Sequence, residues 1–472
     1  MTGVQHITHI LKKCEKSINI LRSLSGAFLL EPCNKSSLSA LDKIQYKSLR
    51  IIVGAMKSSP TNALQVECSD HLSIRRQYLA DRFLFKVIQN SSHPLIDKLH
   101  QLSEFISYDK SWTYKTTPSL FRSFLKFLRL PSPVHQCVLN PLFDNPYHSL
   151  VYQPDISLDL GISKKSTDAE VRLQDYISKK WNNWLVMYTD ASKLSDQECV
   201  GAAVWIPKYK IILNFKCPPV SSVFSGEAIA ILEALLYTES HNVDKTVILS
   251  DSKSCLQAIL SNPFRNKSNF PCILIIRDVL YRCHLQGIRV SLAWIPGHSG
   301  IVGNEAVDLM AKDATNNSCL THPQVFCHDL FSLATQKMMS SWLAEWKESS
   351  KVKGKYYADI QNFIPKKPWF FEYNEASKFC TSTLCRLRLG HSSTPVHLAK
   401  IRIRDNSLCE CGLDDGSPDH IFFNCPKYSV SLYDILPPYI PKPTNFKTLL
   451  NYVNSPFIVI LCNYITSNNI KL

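Results

Sequence analysis

The stretch Trp294-Ile295-Pro296-Gly297-His298-Ser299-Gly300-Ile301-Val302-Gly303-Asn304-Glu305-Ala306-Val307-Asp308 decides how this chain reads. An apolar run ends at Ile295. Gly297, Gly300 and Gly303 then allow a loop with unusual backbone angles, and a helical pattern starts near Asn304. His298 rides on that loop, upstream of Asp308. A histidine on a polar, glycine-rich loop is badly placed for a core and well placed to carry a proton.

Around this stretch, residues 184–315 read as an ordered α/β unit. Trp184 to Asp190 alternates as a strand, with Trp184, Val186, Tyr188 and Asp190 on one face. Gly201 to Ile206 and Ile211 to Phe215 flank a Pro207 turn, giving an antiparallel meander. Gly226 to Thr238 reads as a helix, and Thr246 to Leu249 as a strand apolar on both faces. Two helices (Ser252 to Leu260 and Pro271 to Gln286), a strand (Arg289 to Ile295) and a last helix (Asn304 to Ala314) follow.

Four carboxylates occupy matching places in that pattern. Asp190 ends the first strand and Asp251 the fourth, in phase with Val247 and Leu249. Glu227 lies in the first turn of its helix, on the face carrying Ala230, Ile231 and Ala234, and Asp308 lies in the last helix. Singly, each has an ordinary explanation: Asp251 as an N-cap, Glu227 as a helix-dipole partner. Together, carboxylates on packing faces call for a compensating cation, and hard oxygen donors suit Mg²⁺ or Mn²⁺.

On Tyr188-Thr189-Asp190-Ala191-Ser192, Ser225-Gly226-Glu227, Leu249-Ser250-Asp251-Ser252 and the Trp294 to Asp308 run, residues 181–315 resemble a type 1 ribonuclease H domain. The resemblance implies an α/β fold with a ribonuclease H-like five-stranded mixed sheet and flanking helices. It implies that Asp190, Glu227, Asp251 and Asp308 bind two Mg²⁺ ions, with Mn²⁺ a substitute, and that His298 is the mobile catalytic histidine. The substrate it implies is the RNA strand of an RNA–DNA hybrid, cut by an endonuclease. Ser192, Ser252 and Asn304 are the expected nucleic-acid contacts, each open to a second reading as a loop or cap residue. Gly226 stands where the family more often has Ala before the Glu, and Val307 where it has Ala before the last Asp.

The flanks carry a second resemblance. Residues 1–130 read as mainly helical, with helices near 39–52 and from His71 to Ile88, the latter with Arg75, Arg76 and Arg82 on its polar side. Leu41 to Pro60 and Leu72-Ser73-Ile74-Arg75-Arg76 resemble the thumb or connection region of reverse transcriptases of non-LTR retrotransposons. No Tyr/Phe-x-Asp-Asp motif occurs, so polymerase activity is not expected. Residues 131–180, with five prolines from Pro131 to Pro154, read as a linker. Residues 316–472 read as a helical C-terminal region. Within it Cys409, Cys411, His420 and Cys425 are candidate Zn²⁺ ligands, a zinc knuckle whose first pair is one residue closer than usual; four reduced, partly buried residues is the other reading. Lys366-Lys367-Pro368-Trp369-Phe370-Phe371 interleaves basic and aromatic groups, as a single-strand site or a core edge would.

Composition fits these assignments. The chain has 472 residues and a net charge of +14. That excess avoids residues 181–315, which carry 12 basic and 12 acidic side chains, and resides in the flanks. Basic flanks fit a polyanion. An apolar content of 45% excludes a largely disordered chain, and no apolar run is long enough to span a membrane. Seventeen scattered cysteines without a signal-peptide core read as reduced thiols in an intracellular, non-secreted protein of the nucleus or cytoplasm. The alternative function is a catalytically silent nucleic-acid-binding remnant of a retroelement.

Overall fold

The computed structural model describes residues 35–68, 71–109, 117–130, 132–138, 141–164, 166, 168–193, 199–265, 270–316, 321–371, 377–428, 430–443, 445–453, 455–470 and 472. They fall into two compact units. One holds the described residues within 81–115 and 121–335, the other those within 35–80, 117–120 and 336–472.

The first unit is built on a mixed sheet of six strands in the order β1-β6-β5-β2-β3-β4. The strands are β1 Asp155–Ser157, β2 Leu185–Ser192, β3 Val200–Ile206, β4 Ile211–Cys217, β5 Lys245–Ser250 and β6 Arg289–Trp294. The β2-β3-β4 meander is antiparallel, and β1, β6, β5 and β2 pair in parallel. Five helices matter to the site: α1 Ala169–Lys180, α2 Val223–Ser240, α3 Lys253–Leu260, α4 Pro271–Leu285 and α5 Val302–Ala314.

Period-2 alternation puts the strands between two cores. Leu185, Met187 and Ile248 pack with α2, α3 and α4 through Ile231, Leu256 and Ile276. Tyr188, Val247 and Leu249 pack on the other face with α1 and α5 through Leu173, Val307 and Ala311.

The expected five-stranded sheet gains a sixth strand, which corrects the reading of 131–180 as a linker. Strand β1 has three residues beside Pro154, too short to alternate visibly, and forms the sheet edge where proline is tolerated. The buried Arg277 of α4 holds its approach, donating to the carbonyls of Leu150 at 2.8 Å and Tyr152 at 2.6 Å. Helix α1, from the same segment, packs Leu173 against the sheet, and Trp181, just past its end, joins the same core.

In the second unit the N-terminal helices and the C-terminal region, read separately in the sequence, share one core. The fully buried Glu67 pairs with Arg388 at 3.1 Å and accepts from Tyr357 at 2.5 Å and Trp369 at 2.6 Å. Arg386 also donates to the carbonyl of Gly54 at 2.6 Å. Such pairing bridges roughly 300 residues of sequence, and no local pattern announces it. Arg76 is buried rather than on a solvated face.

Cys380 and Cys462, whose Cα atoms lie 5.6 Å apart, are joined as a disulfide. This corrects the expectation of reduced thiols for that pair, since the core of this unit brings them within bonding reach; the other described cysteines are free. Among the described residues no helix is long and apolar enough to cross a membrane.

Candidate active site

Parallel pairing of β2 with β5 places Tyr188 opposite Leu249 and Thr189 opposite Ser250. One residue further along, Asp190 and Asp251 therefore leave adjacent strands side by side, on the face in phase with Tyr188 and Leu249. Helix α2 delivers Glu227 from its second turn to meet them. Carboxylate oxygens of Asp190, Glu227 and Asp251 lie within 4.8 Å of one another.

Gly226 explains its own presence. A Cβ there would stand 2.7 Å from Val200 and 2.8 Å from Ala191, so the missing methyl lets α2 approach the sheet closely enough to seat Glu227. Gly297 does the same for the histidine loop, since its Cβ would lie 2.2 Å from an Asp251 carboxylate oxygen.

The electrostatics are those of crowded, desolvated acids. Burial, then the charge of Asp251, pushes the Asp190 carboxyl up to about 7, although it accepts from the Ala191 amide at 2.8 Å. Burial, then the Asp190 and Asp251 charges, holds Glu227 well above the ordinary carboxylate range. Its Oε2 is buried with no hydrogen-bond partner. Asp251 is raised by burial, with an Asn304 hydrogen bond and His298 pulling it back. An unpartnered buried carboxylate oxygen beside two further acids is the arrangement a hard divalent cation relieves.

Asp308 stands outside this trio. Its Oδ2 pairs with Lys312, one turn on, at 2.5 Å, while its charge still raises Asp190 and Asp251. His298 is exposed, as its loop position requires, and adopts φ 51° in the left-handed region. Ser192 and Ser252 are half-buried at the strand ends, and Ser252 is the N-cap of α3 without a side-chain capping bond. Asn304 is buried against Asp251.

Residues 182–316 match the family model of RNase H. This segment is an RNase H domain. Similar curated proteins are Ribonuclease H1 of Mus musculus, 26% identical over 145 residues, and Ribonuclease H1 of Homo sapiens, 24% identical over 147 residues. The aligned region covers 28% and 29% of this chain respectively, and the chain spans about half, 51%, of each relative.

Two residues supporting the RNase H domain went unread in the sequence. Asp329, beyond the matched segment, is buried at the N-terminus of α2. Its Oδ1 accepts from the Ser222 amide at 3.0 Å, the Ser222 hydroxyl at 2.8 Å and the Ser225 hydroxyl at 2.5 Å, and its Oδ2 from the Phe326 amide at 3.1 Å. It thus fixes the turn that carries Glu227. Glu170, from α1, accepts from the Val302 amide at 3.0 Å and so caps α5 just after the histidine loop. Nothing local distinguishes either from a surface acid.

The second unit holds a separate cluster. Cys409, Cys411, His420 and Cys425 present ligand atoms all within 4.8 Å of one another. Sγ of Cys409 lies 3.8 Å from Sγ of Cys425, and Sγ of Cys411 lies 3.1 Å from Nε2 of His420. Nδ1 of His420 faces Asp414 at 3.7 Å. A backbone hydrogen bond from Leu413 leads the causes that lower the Cys411 thiol to about 7. Gly412, at φ 77°, makes the tight return between the first two cysteines and Asp414.

Proposed function

We propose that this chain is a metal-dependent ribonuclease H: an endonuclease that hydrolyses the RNA strand of RNA–DNA hybrids and lacks polymerase activity. The observation that carries the reading is the convergence of the buried Asp190 and Glu227 with the half-buried Asp251, from two strand ends and a helix, into one trio. These residues would hold Mg²⁺ or Mn²⁺, which when bound supply a nucleophilic water and stabilise the leaving oxygen.

The protein's own groups have definable tasks in this reading. Asp190 and Glu227, whose carboxyls burial and mutual charge hold above the ordinary range, would be the groups whose charge a cation balances. Asn304 orients Asp251 by its hydrogen bond. His298, exposed on its loop, takes or returns a proton at the edge of the site. Asp308, which pairs with Lys312 here, would be a fourth ligand to the cation. Ser192 and Ser252 border the site, where the 2′-hydroxyls that mark an RNA strand would pass.

Cys409, Cys411, His420 and Cys425 would hold Zn²⁺ as a structural knuckle. A tetrahedron with Zn–S arms of about 2.3 Å has edges of about 3.8 Å, in keeping with the Cys409–Cys425 spacing. Asp414 behind His420 is the outer partner that such sites use to orient the ring. The helical flanks and this cluster support an origin in the C-terminal part of a non-LTR retrotransposon protein, acting inside the cell on nucleic acid.

A second reading, a silent nucleic-acid-binding module, is favoured by the Asp308–Lys312 pair, which keeps one carboxylate engaged. Incubating the full chain with an end-labelled RNA–DNA hybrid separates the two readings. The nuclease produces internal RNA cuts with Mg²⁺ or Mn²⁺ and none with chelator. The silent module shifts the hybrid on a gel and cuts nothing at any metal level.

A further inference from the structure

We propose that the surface around Phe363, in the helical unit, is a sequence-tolerant binding track for single-stranded nucleic acid, separate from the hybrid-cleaving site. Phe363 is 53% exposed and lines two cavities, of about 390 Å³ and about 570 Å³. The first is also lined by Lys366 and Lys367, the second by Lys347 and Lys351, all four exposed. An exposed aromatic ridge with a cationic hollow on each side offers a stacking face for bases and charge for the phosphates that join them.

The floor of the first cavity indicates why the ligand is a polymer of phosphates and bases rather than a specific small molecule. Its charged groups, Glu67 and Arg388, are buried and spend their hydrogen bonds on each other and on Tyr357, Trp369, Gln361 and the Leu450 carbonyl. The rest of the lining is apolar, with Phe363 among it, together with the exposed Lys366 and Lys367, the latter's ammonium group 4.7 Å from the Phe371 ring centre. Those recognise a π-face and a phosphate, features common to every nucleotide. Glu348 pairs with Lys351 at 2.7 Å, but both are exposed, so this contact yields readily to a phosphate. Trp369 of the basic-aromatic run is buried and belongs to the core, while Lys366 and Lys367 stay at the surface.

The test uses the full chain and a fluorescein-labelled oligo-dT 10-mer, followed by anisotropy at two salt concentrations. Phe363→Ala should weaken binding about five- to 160-fold, the range that losing one base stack gives. A Lys366→Gln/Lys367→Gln double variant should flatten the salt dependence. Inorganic polyphosphate, which has charge and no bases, should compete with equal strength against wild type and Phe363→Ala. Thermal melting and the disposition of the exposed side chains make folding checkable in each variant. Photocrosslinking of a 5-iodouracil oligonucleotide should label the peptide containing Phe363. Asp190→Asn should bind the single strand as wild type does, so failure of the nuclease reading leaves this one standing. Binding by Phe363→Ala within twofold of wild type, or crosslinks confined to other peptides, would overturn the proposal.

Discussion

The acid trio and the Cys/His cluster are both candidate metal centres, and they are built in opposite ways. Asp190, Glu227 and Asp251 come from β2, α2 and β5, and only the register of the assembled sheet makes them neighbours. Cys409, Cys411, His420 and Cys425 come from one short stretch of chain, the first two in the turn closed by the Leu408–Asp415 bridge and the last two at the ends of the helical turn that follows. The first cluster concentrates like charges in a buried place, so the fold must hold them together against repulsion. In the second, the ligands hold the loop. A metal at the acids should therefore matter most to chemistry, and a metal at the cysteines most to stability.

The sharpest way to break this contrast is to remove one acid. Glu227→Gln should lower hybrid cleavage on the order of a thousandfold or more. It should also raise the melting temperature of the metal-free chain at pH 8, because a buried carboxylate with an unpartnered oxygen is gone. A variant that loses activity and stability together would contradict the assignment. Cys425→Ser should have the reverse profile. Elemental analysis should find one zinc per wild-type chain and none in the variant, and the variant's melting temperature should fall while it still cuts hybrid.

pH sharpens the same comparison. Asp190 keeps its proton up to about 7 when folded and to about 4 when unfolded. The folded form thus binds the extra proton between these values, and the metal-free chain loses stability as pH rises through that window. From this group alone the loss is at most about 4 kcal/mol. Denaturant melts in chelator at pH 5 and pH 8 should differ in that direction, and Mg²⁺ should narrow the gap at pH 8. Equal stability at both pH values would show that the acids are not held as crowded as the distances imply.

The smallest expected effect comes from Asp329→Asn. It keeps the shape at the start of α2 but weakens the charge-assisted bonds to Ser222 and Ser225, costing about 1–3 kcal/mol. If Asp329 positions Glu227, cleavage should need several-fold more Mg²⁺ and recover when Mg²⁺ is raised. Loss of stability with an unchanged Mg²⁺ requirement would make it a cap and nothing more.

What was legible in the sequence follows from how local each signal is. Strand alternation and helix phase are local, so the five longer strands and the places of Asp190, Glu227 and Asp251 could be read directly. Strand β1 was hidden because three residues beside a proline carry no period. The union of the two flanks was hidden because Glu67 and Arg388 meet only after folding. Asp329 and Glu170 act on backbone amides far away in the chain, and an acid gives no sign in sequence of which helix end it will cap. Gly226, a departure from the family pattern, became intelligible only with Val200 and Ala191 in place around it.

The most direct measurement is cleavage of a labelled RNA–DNA hybrid by the purified 472-residue chain, wild type beside Asp190→Asn, across a Mg²⁺ and Mn²⁺ titration. We predict metal-dependent internal cuts in the RNA strand by wild type and none above background by the variant. No cleavage by wild type at any metal concentration, or equal cleavage by both, would contradict the account.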